Sequence, residues 1–193
     1  MNDDNELIRL FLETATLKRL PRTGWGMRGV AHVESVAEHS FGVAFVALAL
    51  ADTLKGTGAL EQHALDLEKV LVMAVLHDLA EVRLTDLPAT AVRLLPREVK
   101  SQAEATAVAD LLAPLSTAEG LKALWQEFED CSSPEGRLVR DADKLEMMVQ
   151  CLHYEQAGSR GLDEFWRAMD QREWNYPLCA ELYARLRSMR SEG

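Results

Sequence analysis

The chain has 193 residues, 48% of them hydrophobic and 27% charged, an ordinary composition for a soluble globular protein, and at that length it buries roughly 70% of its unfolded surface without needing disulfides or a structural metal. The 31 acidic against 21 basic residues leave a net charge of −10, which repels a polyanion and excludes a nucleic-acid polymer as partner, while a small phosphorylated metabolite in a locally positive cleft stays compatible. Cys131, Cys151 and Cys179 are widely spaced with no CxxC pair, the N-terminus is acidic, and the longest apolar run, Phe41 to Ala51, falls short of the ~20 residues that span a bilayer, so a cytoplasmic protein with no membrane partner is expected.

Apolar residues recur at helical spacing and strand-like alternation is hard to find, which predicts an all-α, single-domain helical bundle of seven or eight helices over 1–193. Leu7, Leu10, Phe11, Thr14 and Leu17 mark a first amphipathic helix, ended by Pro21 and Gly24. The following stretch to Ala31 is rich in glycine, Arg and Trp and reads as a loop. Ser35-Val-Ala-Glu38 matches a capping box and starts a helix running to about Leu54. Asp66 caps a third helix through Glu81, whose segment Val70 to Leu76 is apolar on every side and is expected at the centre of the bundle. After a turn at Thr85, Asp86 and Pro88, helices are expected over 97–112, 118–129 and 134–157, the last opened by Ser133 and Pro134, with two more near 162–170 and 178–190.

His77-Asp78 carries the strongest chemical signal, because an ionised carboxylate at the end of an apolar helix costs several kcal/mol to bury without a partner. A divalent cation would compensate, taking imidazole and carboxylate together. Glu81 lies at i+4 from His77, so a continuous helix would aim His77, Asp78 and Glu81 into one sector. His39 in the first turn of the long second helix and Asp143 in the middle of helix 134–157 would complete a four-ligand site with open positions. Each residue also has an ordinary reading: His77 as a core histidine, His39 as surface polar, Asp143 paired with Lys144 or Arg140, and Glu81 paired with Arg83. His32, His63 and His153 read as surface or structural, and Trp125, Phe128, Phe165, Trp166 and Trp174 as core or subunit contacts.

The order His39, His77-Asp78, Asp143 resembles the HD-domain metal phosphohydrolases, and within them the 5'-deoxynucleotidase branch. Leu17-Lys-Arg-Leu-Pro-Arg-Thr-Gly-Trp25, Glu34-Ser-Val-Ala-Glu-His-Ser40, His77-Asp-Leu-Ala-Glu-Val82, Asp86-Leu-Pro88 and Asp141-Ala-Asp-Lys-Leu-Glu146 are similar to that branch in order and approximate spacing. The motif-bearing core spans about 10–155, with C-terminal helices at 160–190. The resemblance implies a dimeric helical enzyme that removes the 5'-phosphate from deoxyribonucleoside monophosphates. It implies one divalent ion, Co²⁺ or Mn²⁺ first and Fe²⁺, Mg²⁺ or Zn²⁺ as alternatives, held by His39, His77, Asp78 and Asp143. Glu81 becomes the acid/base residue, Asp86 lies near the sugar, and the phosphate arginine is Arg22 in preference to Arg19. Trp25 either walls the substrate pocket or packs over a helix junction. Thr85 departs from the glycine that the family places before this aspartate, which predicts an altered turn. Two rival readings remain open: the same ligands serving another small phosphoester, such as a nucleoside triphosphate or cyclic nucleotide, and a non-catalytic helical module that binds a nucleotide or protein.

Overall fold

A computed structural model describes residues 2–56 and 65–191. Among these the regular structure is helical: α1 (Asn2–Thr14), a 3₁₀ turn (Ala15–Lys18), α2 (Thr23–Gly26), α3 (Val36–Gly56), α4 (Leu67–Leu76), α5 (Glu81–Leu84), α6 (Ala89–Val92), α7 (Arg97–Leu112), α8 (Ala118–Glu129), α9 (Pro134–Gln156), α10 (Asp163–Asp170) and α11 (Pro177–Ser191). The all-α expectation holds, and the longer helices are those read from the spacing, with α7 and α8 at the expected bounds.

The caps follow from local chemistry. Ser35 and Glu38 form the reciprocal box, the Ser35 amide donating to Glu38 Oε2 at 2.6 Å and the Glu38 amide to Ser35 Oγ at 3.2 Å. Asp66 Oδ1 accepts from the Glu68 and Lys69 amides, and Ser133 Oγ from the Gly136 amide, with Pro134 in the first helical turn. Each pairing satisfies an amide that the helix itself leaves without a partner.

The seven or eight expected helices become eleven among the described residues, and three expected boundaries are corrected. The first helix ends at Thr14 and tightens into a 3₁₀ turn, where the Thr14 and Thr16 hydroxyls donate back to the Leu10 and Glu13 carbonyls. The glycine-rich stretch expected as a loop contains the single helical turn α2, with Trp25 buried in it. The third helix stops at Leu76 rather than Glu81, because His77 Nδ1 takes the Ala74 carbonyl at 2.8 Å, the acceptor that the amide of residue 78 would use in a continued α-helix. The chain then advances by i to i+3 bonds, Leu79 to Leu76, Glu81 to Asp78 and Val82 to Leu79. In that tighter winding Asp78 and Glu81 fall one above the other.

The centre of the bundle is α9 rather than α4. It packs against α3, α4, α8, α10 and α11, whereas Val75 of α4 is 63% exposed. The apolarity of α4 therefore belongs in part to a surface face, while α9 buries polar side chains that find partners inside. Asp141, fully buried, accepts from the Asn175 and Tyr176 amides, Asn175 Nδ2 and Arg172 Nη2, which docks the entry of α11 onto α9. Among the described residues α3 is the one helix long and apolar enough to cross a membrane, beyond what the short run Phe41–Ala51 suggests. Its Val36, His39, Val43, Ala47, Leu50 and Leu54 are nevertheless buried against α4 and α9.

Candidate functional site

Three helices converge at one cleft: the first turn of α3 brings His39, the end of α4 brings His77 and Asp78, and the middle of α9 brings Asp143. His39 Nε2 lies 3.4 Å from His77 Nε2, 3.7 Å from Asp78 Oδ2 and 3.3 Å from Asp143 Oδ1, and His77 Nε2 lies 3.2 Å from Asp78 Oδ2. Ligands held at about 2.0–2.2 Å by one ion stand about 3.0–3.5 Å apart, so the group His39, His77 and Asp78, whose donor atoms all lie within 4.8 Å of one another, suits a metal, and Asp143 adjoins it through His39 Nε2. The tautomers suit it as well. His77 Nδ1 faces the Ala74 carbonyl, which only accepts, and His39 Nδ1 faces Glu146 Oε2 at 2.5 Å. Each imidazole is thereby oriented through Nδ1 and turns Nε2 to the cluster, the outer-shell arrangement common to metal-bound histidines. Two imidazoles and two carboxylates make a donor set for a divalent ion of borderline character.

The electrostatics favour positive charge at this point. Burial and Arg22 act against protonation of His39, yet the Asp143 and Glu146 carboxylates outweigh both and push its pKa up to about 9. Burial works to raise Asp78, but His77, Arg22 and His39 hold it below the usual carboxylate range. Asp143 is likewise held well down, against burial, by Lys144 and His39, with Lys144 Nζ 2.8 Å from its Oδ2. Glu81 moves the other way, pushed up to about 9 by burial and by Asp78 and Asp86. Its Oε2 is buried without a hydrogen-bond partner among the described residues.

Arg22 reaches the same point from the opposite wall. Pro21 and Ser35 form an isolated antiparallel bridge, and the Arg22 and Val36 amides donate to the Glu34 and Leu20 carbonyls, which ties the arginine to the start of α3. Its Nη1 donates to Asp78 Oδ2 at 3.0 Å and lies 3.8 Å from Glu81 and 3.5 Å from Asp86. Arg19 is exposed and does not line the cleft, whereas Arg22 does, with Arg140 further along it. Asp86 is half-buried, its carboxylate accepting from the Thr23 amide while Thr23 Oγ1 donates to the Asp86 carbonyl at 2.8 Å. Thr85, where the family pattern has glycine, takes the left-handed φ of 63°, so the turn adopts a glycine-type backbone despite its side chain.

The ordinary readings of His39 and Glu81 fall away. His39 is fully buried, and Arg83 pairs with Glu13 rather than Glu81. Trp25 combines both of its expected roles. Its indole packs on Phe165 at 4.2 Å and Tyr154 at 5.4 Å, its N–H donates to Glu34 Oε1, and it borders the cleft while only 2% exposed. Trp125, Phe128 and Trp166 are core residues and His32 and His153 are on the surface, as expected; His63 lies outside the described residues. Sequence reasoning gave no role to Glu146 or Glu34. The signal for Glu146 was its position, one turn after Asp143 on the same helix. The cleft has a volume of about 390 Å³ and extends from the cluster past Asp86 to Lys100 and Trp125.

Residues 14–173 match the HD domain family. The chain is 36% identical over 150 residues to a Dictyostelium discoideum protein named 5'-deoxynucleotidase HDDC2, with 77% of each chain covered. It is 30% identical over 190 residues to the human protein of the same name, covering 96% of this chain and 86% of that one. Among solved structures, a conserved hypothetical protein from Pyrococcus furiosus superposes with a TM-score of 0.80 at 39% identity, over 94% of this chain and 99% of the other. With His39, His77 and Asp78 clustered and Asp143 beside His39, the chain belongs to the HD-domain family, in the branch whose members carry the name 5'-deoxynucleotidase.

Proposed function

We propose that the protein hydrolyses deoxyribonucleoside 5'-monophosphates to deoxynucleoside and phosphate, with Co²⁺ or Mn²⁺ held by His39, His77, Asp78 and Asp143. The observation that carries the reading is the convergence of these ligands beside Arg22 and the unpartnered Glu81 carboxyl, in a chain 30–36% identical to proteins named 5'-deoxynucleotidase.

A phosphate monoester resists hydrolysis because negative oxygens repel a nucleophile and the departing alkoxide is a poor leaving group. The bound ion supplies charge neutralisation and makes the attacking water more acidic. Arg22, kept charged against its burial by Asp78 and Asp86, stands fixed where phosphate oxygens enter. Glu81, pushed towards the protonated form by burial and by Asp78, donates its proton to the 5'-oxygen as the P–O bond breaks, and recovers one from the water whose oxygen joins phosphorus. Asp86 and Trp25 border the sugar end.

Few cations remain for a longer polyphosphate, which favours a monophosphate over the rival reading with triphosphates. Arg140 Nη2 donates to the Phe128 and Glu129 carbonyls, and Lys100 is engaged by Glu104. We further infer a homodimer, supported by the stripe Phe41, Phe45 and Leu48 on α3, 75%, 63% and 37% exposed at i, i+4 and i+7.

The test is phosphate release from deoxyribo- and ribonucleoside 5'-monophosphates, 3'-monophosphates and deoxynucleoside triphosphates, with Co²⁺ or Mn²⁺ against a chelator. Metal-dependent release confined to 5'-deoxymonophosphates is expected. Asp78→Ala loses metal and activity together, whereas Glu81→Gln keeps the metal and loses about 10²–10⁴-fold in kcat. Equal metal loss in both variants would overturn the division of roles.

A further inference from the structure

Gly42 lies three residues beyond His39 on α3 and faces Glu146 of α9. A Cβ at position 42 would stand 2.5 Å from Glu146 Oε1, 2.8 Å from its Cγ and 2.9 Å from its Cδ, nearer than non-bonded atoms pack in protein interiors. The missing side chain is what lets the carboxylate come in against α3 and meet His39 Nδ1 at 2.5 Å. We propose that Gly42 and Glu146 are positioning residues for the metal, Gly42 by leaving the gap and Glu146 by accepting the Nδ1 proton so that Nε2 is presented to the ion.

Three features carry the proposal. His39 is fully buried, and Glu146 is the acceptor that its Nδ1 meets. Glu34 also lies within 4.8 Å of His39 and Glu146, but its Oε1 accepts from Trp25 Nε1 at 2.8 Å, and Glu146 is the carboxylate that meets Nδ1. The group Glu34, His39 and Glu146 is not a second cation site, since His39 would have to give Nδ1 to one ion and Nε2 to another, and a neutral imidazole has only one free lone pair. The carboxylate behind the ring therefore acts as an orienting acceptor, an arrangement whose loss typically weakens metal binding 10–100-fold.

The proposal rests on the metal centre described above, and metal binding without substrate tests it. Chelator-treated protein is titrated with Co²⁺ by calorimetry for the wild type, Gly42→Ala, Glu146→Ala, Glu146→Gln and the Gly42→Ala/Glu146→Ala pair. Gly42→Ala and Glu146→Ala are each expected to weaken Co²⁺ binding about 10–100-fold. Glu146→Gln, which keeps an acceptor oxygen, recovers part of the loss. The double variant binds no more weakly than Glu146→Ala alone, because no carboxylate remains for the new methyl to displace. Metal-free Gly42→Ala keeps a melting temperature near that of the wild type, since the nearest atom it meets is the mobile end of a side chain. Wild-type affinity in Gly42→Ala or Glu146→Ala, or losses that add in the double variant, would overturn the proposal. A wild-type protein that takes up no Co²⁺ would overturn the metal centre itself, a distinguishable result. Were Gly42→Ala to misfold, the two Glu146 single variants decide alone.

Discussion

Thr85 shows how one residue can store strain beside a cleft. At φ 63° and ψ 166° it occupies a region that is essentially confined to glycine, at a cost of about 1–3 kcal/mol. The surroundings over-determine it: its amide donates to the Glu81 carbonyl at 2.9 Å, and the following Asp86 is clasped by Thr23 through backbone and side chain. Thr85→Gly removes the strain and returns about 0.5–1 kcal/mol to the flexibility of the unfolded chain. A net gain of about 1 kcal/mol is expected, seen as a melting temperature raised by about 2–4 °C. An unchanged or lower value would mean that the Thr side chain contributes contacts worth more than the strain.

Among the elements, α11 is the one most dependent on charge. Arg190 bonds Glu155 and Asp163, Arg187 bonds Asp170, and the Tyr183 hydroxyl donates to Asp170 at 2.6 Å. Asp170 is held below its usual range by the Tyr183 hydroxyl and Arg187, and Asp163 by Arg190. Both folded-state values are depressed, so this stabilisation is complete above the ordinary aspartate value of 3.8 and is lost as pH falls through the lower folded values. The pairs are exposed and individually weak. Acid is therefore expected to loosen α11 from α10 before the α3–α4–α9 core opens. Fluorescence would report it, because Trp166 lies under the Arg187 and Arg190 guanidinium groups and Trp174 is 5.4 Å from the Tyr183 ring. A single transition in which fluorescence and far-UV signal coincide would contradict this order.

For the whole molecule, the proposed homodimer is tested at the exposed apolar stripe of α3. If the chain dimerises through this stripe as proposed, Phe41→Glu with Phe45→Glu, which places two charges on it and changes neither His39, His77, Asp78 nor Asp143, gives a monomer at micromolar concentration by light scattering, against a wild-type dimer. A wild-type mass of one chain at that concentration would refute the dimer. The buried half of the same helix carries His39, so α3 joins the metal centre to the apolar face, and the doubly substituted protein tests whether activity needs the partner.

Local features were legible in the sequence because their causes are local. Ser35, Asp66 and Ser133 satisfy amides within three residues of themselves, and periodic apolar residues fix which stretches wind into helices, so helix positions and the all-α class follow from neighbours in the chain. The residue types at 39, 77, 78 and 143 likewise named a donor set. Asp143 is already legible as a ligand in the sequence, whereas the tertiary structure alone gave Asp141, on the opposite face of α9, its role of docking α11. It alone ended α4 at His77 and set Glu146 behind a histidine 107 residues away. Those outcomes depend on which faces meet across long stretches of chain, and a buried carboxylate or imidazole takes its role from the partners that desolvation obliges it to find there.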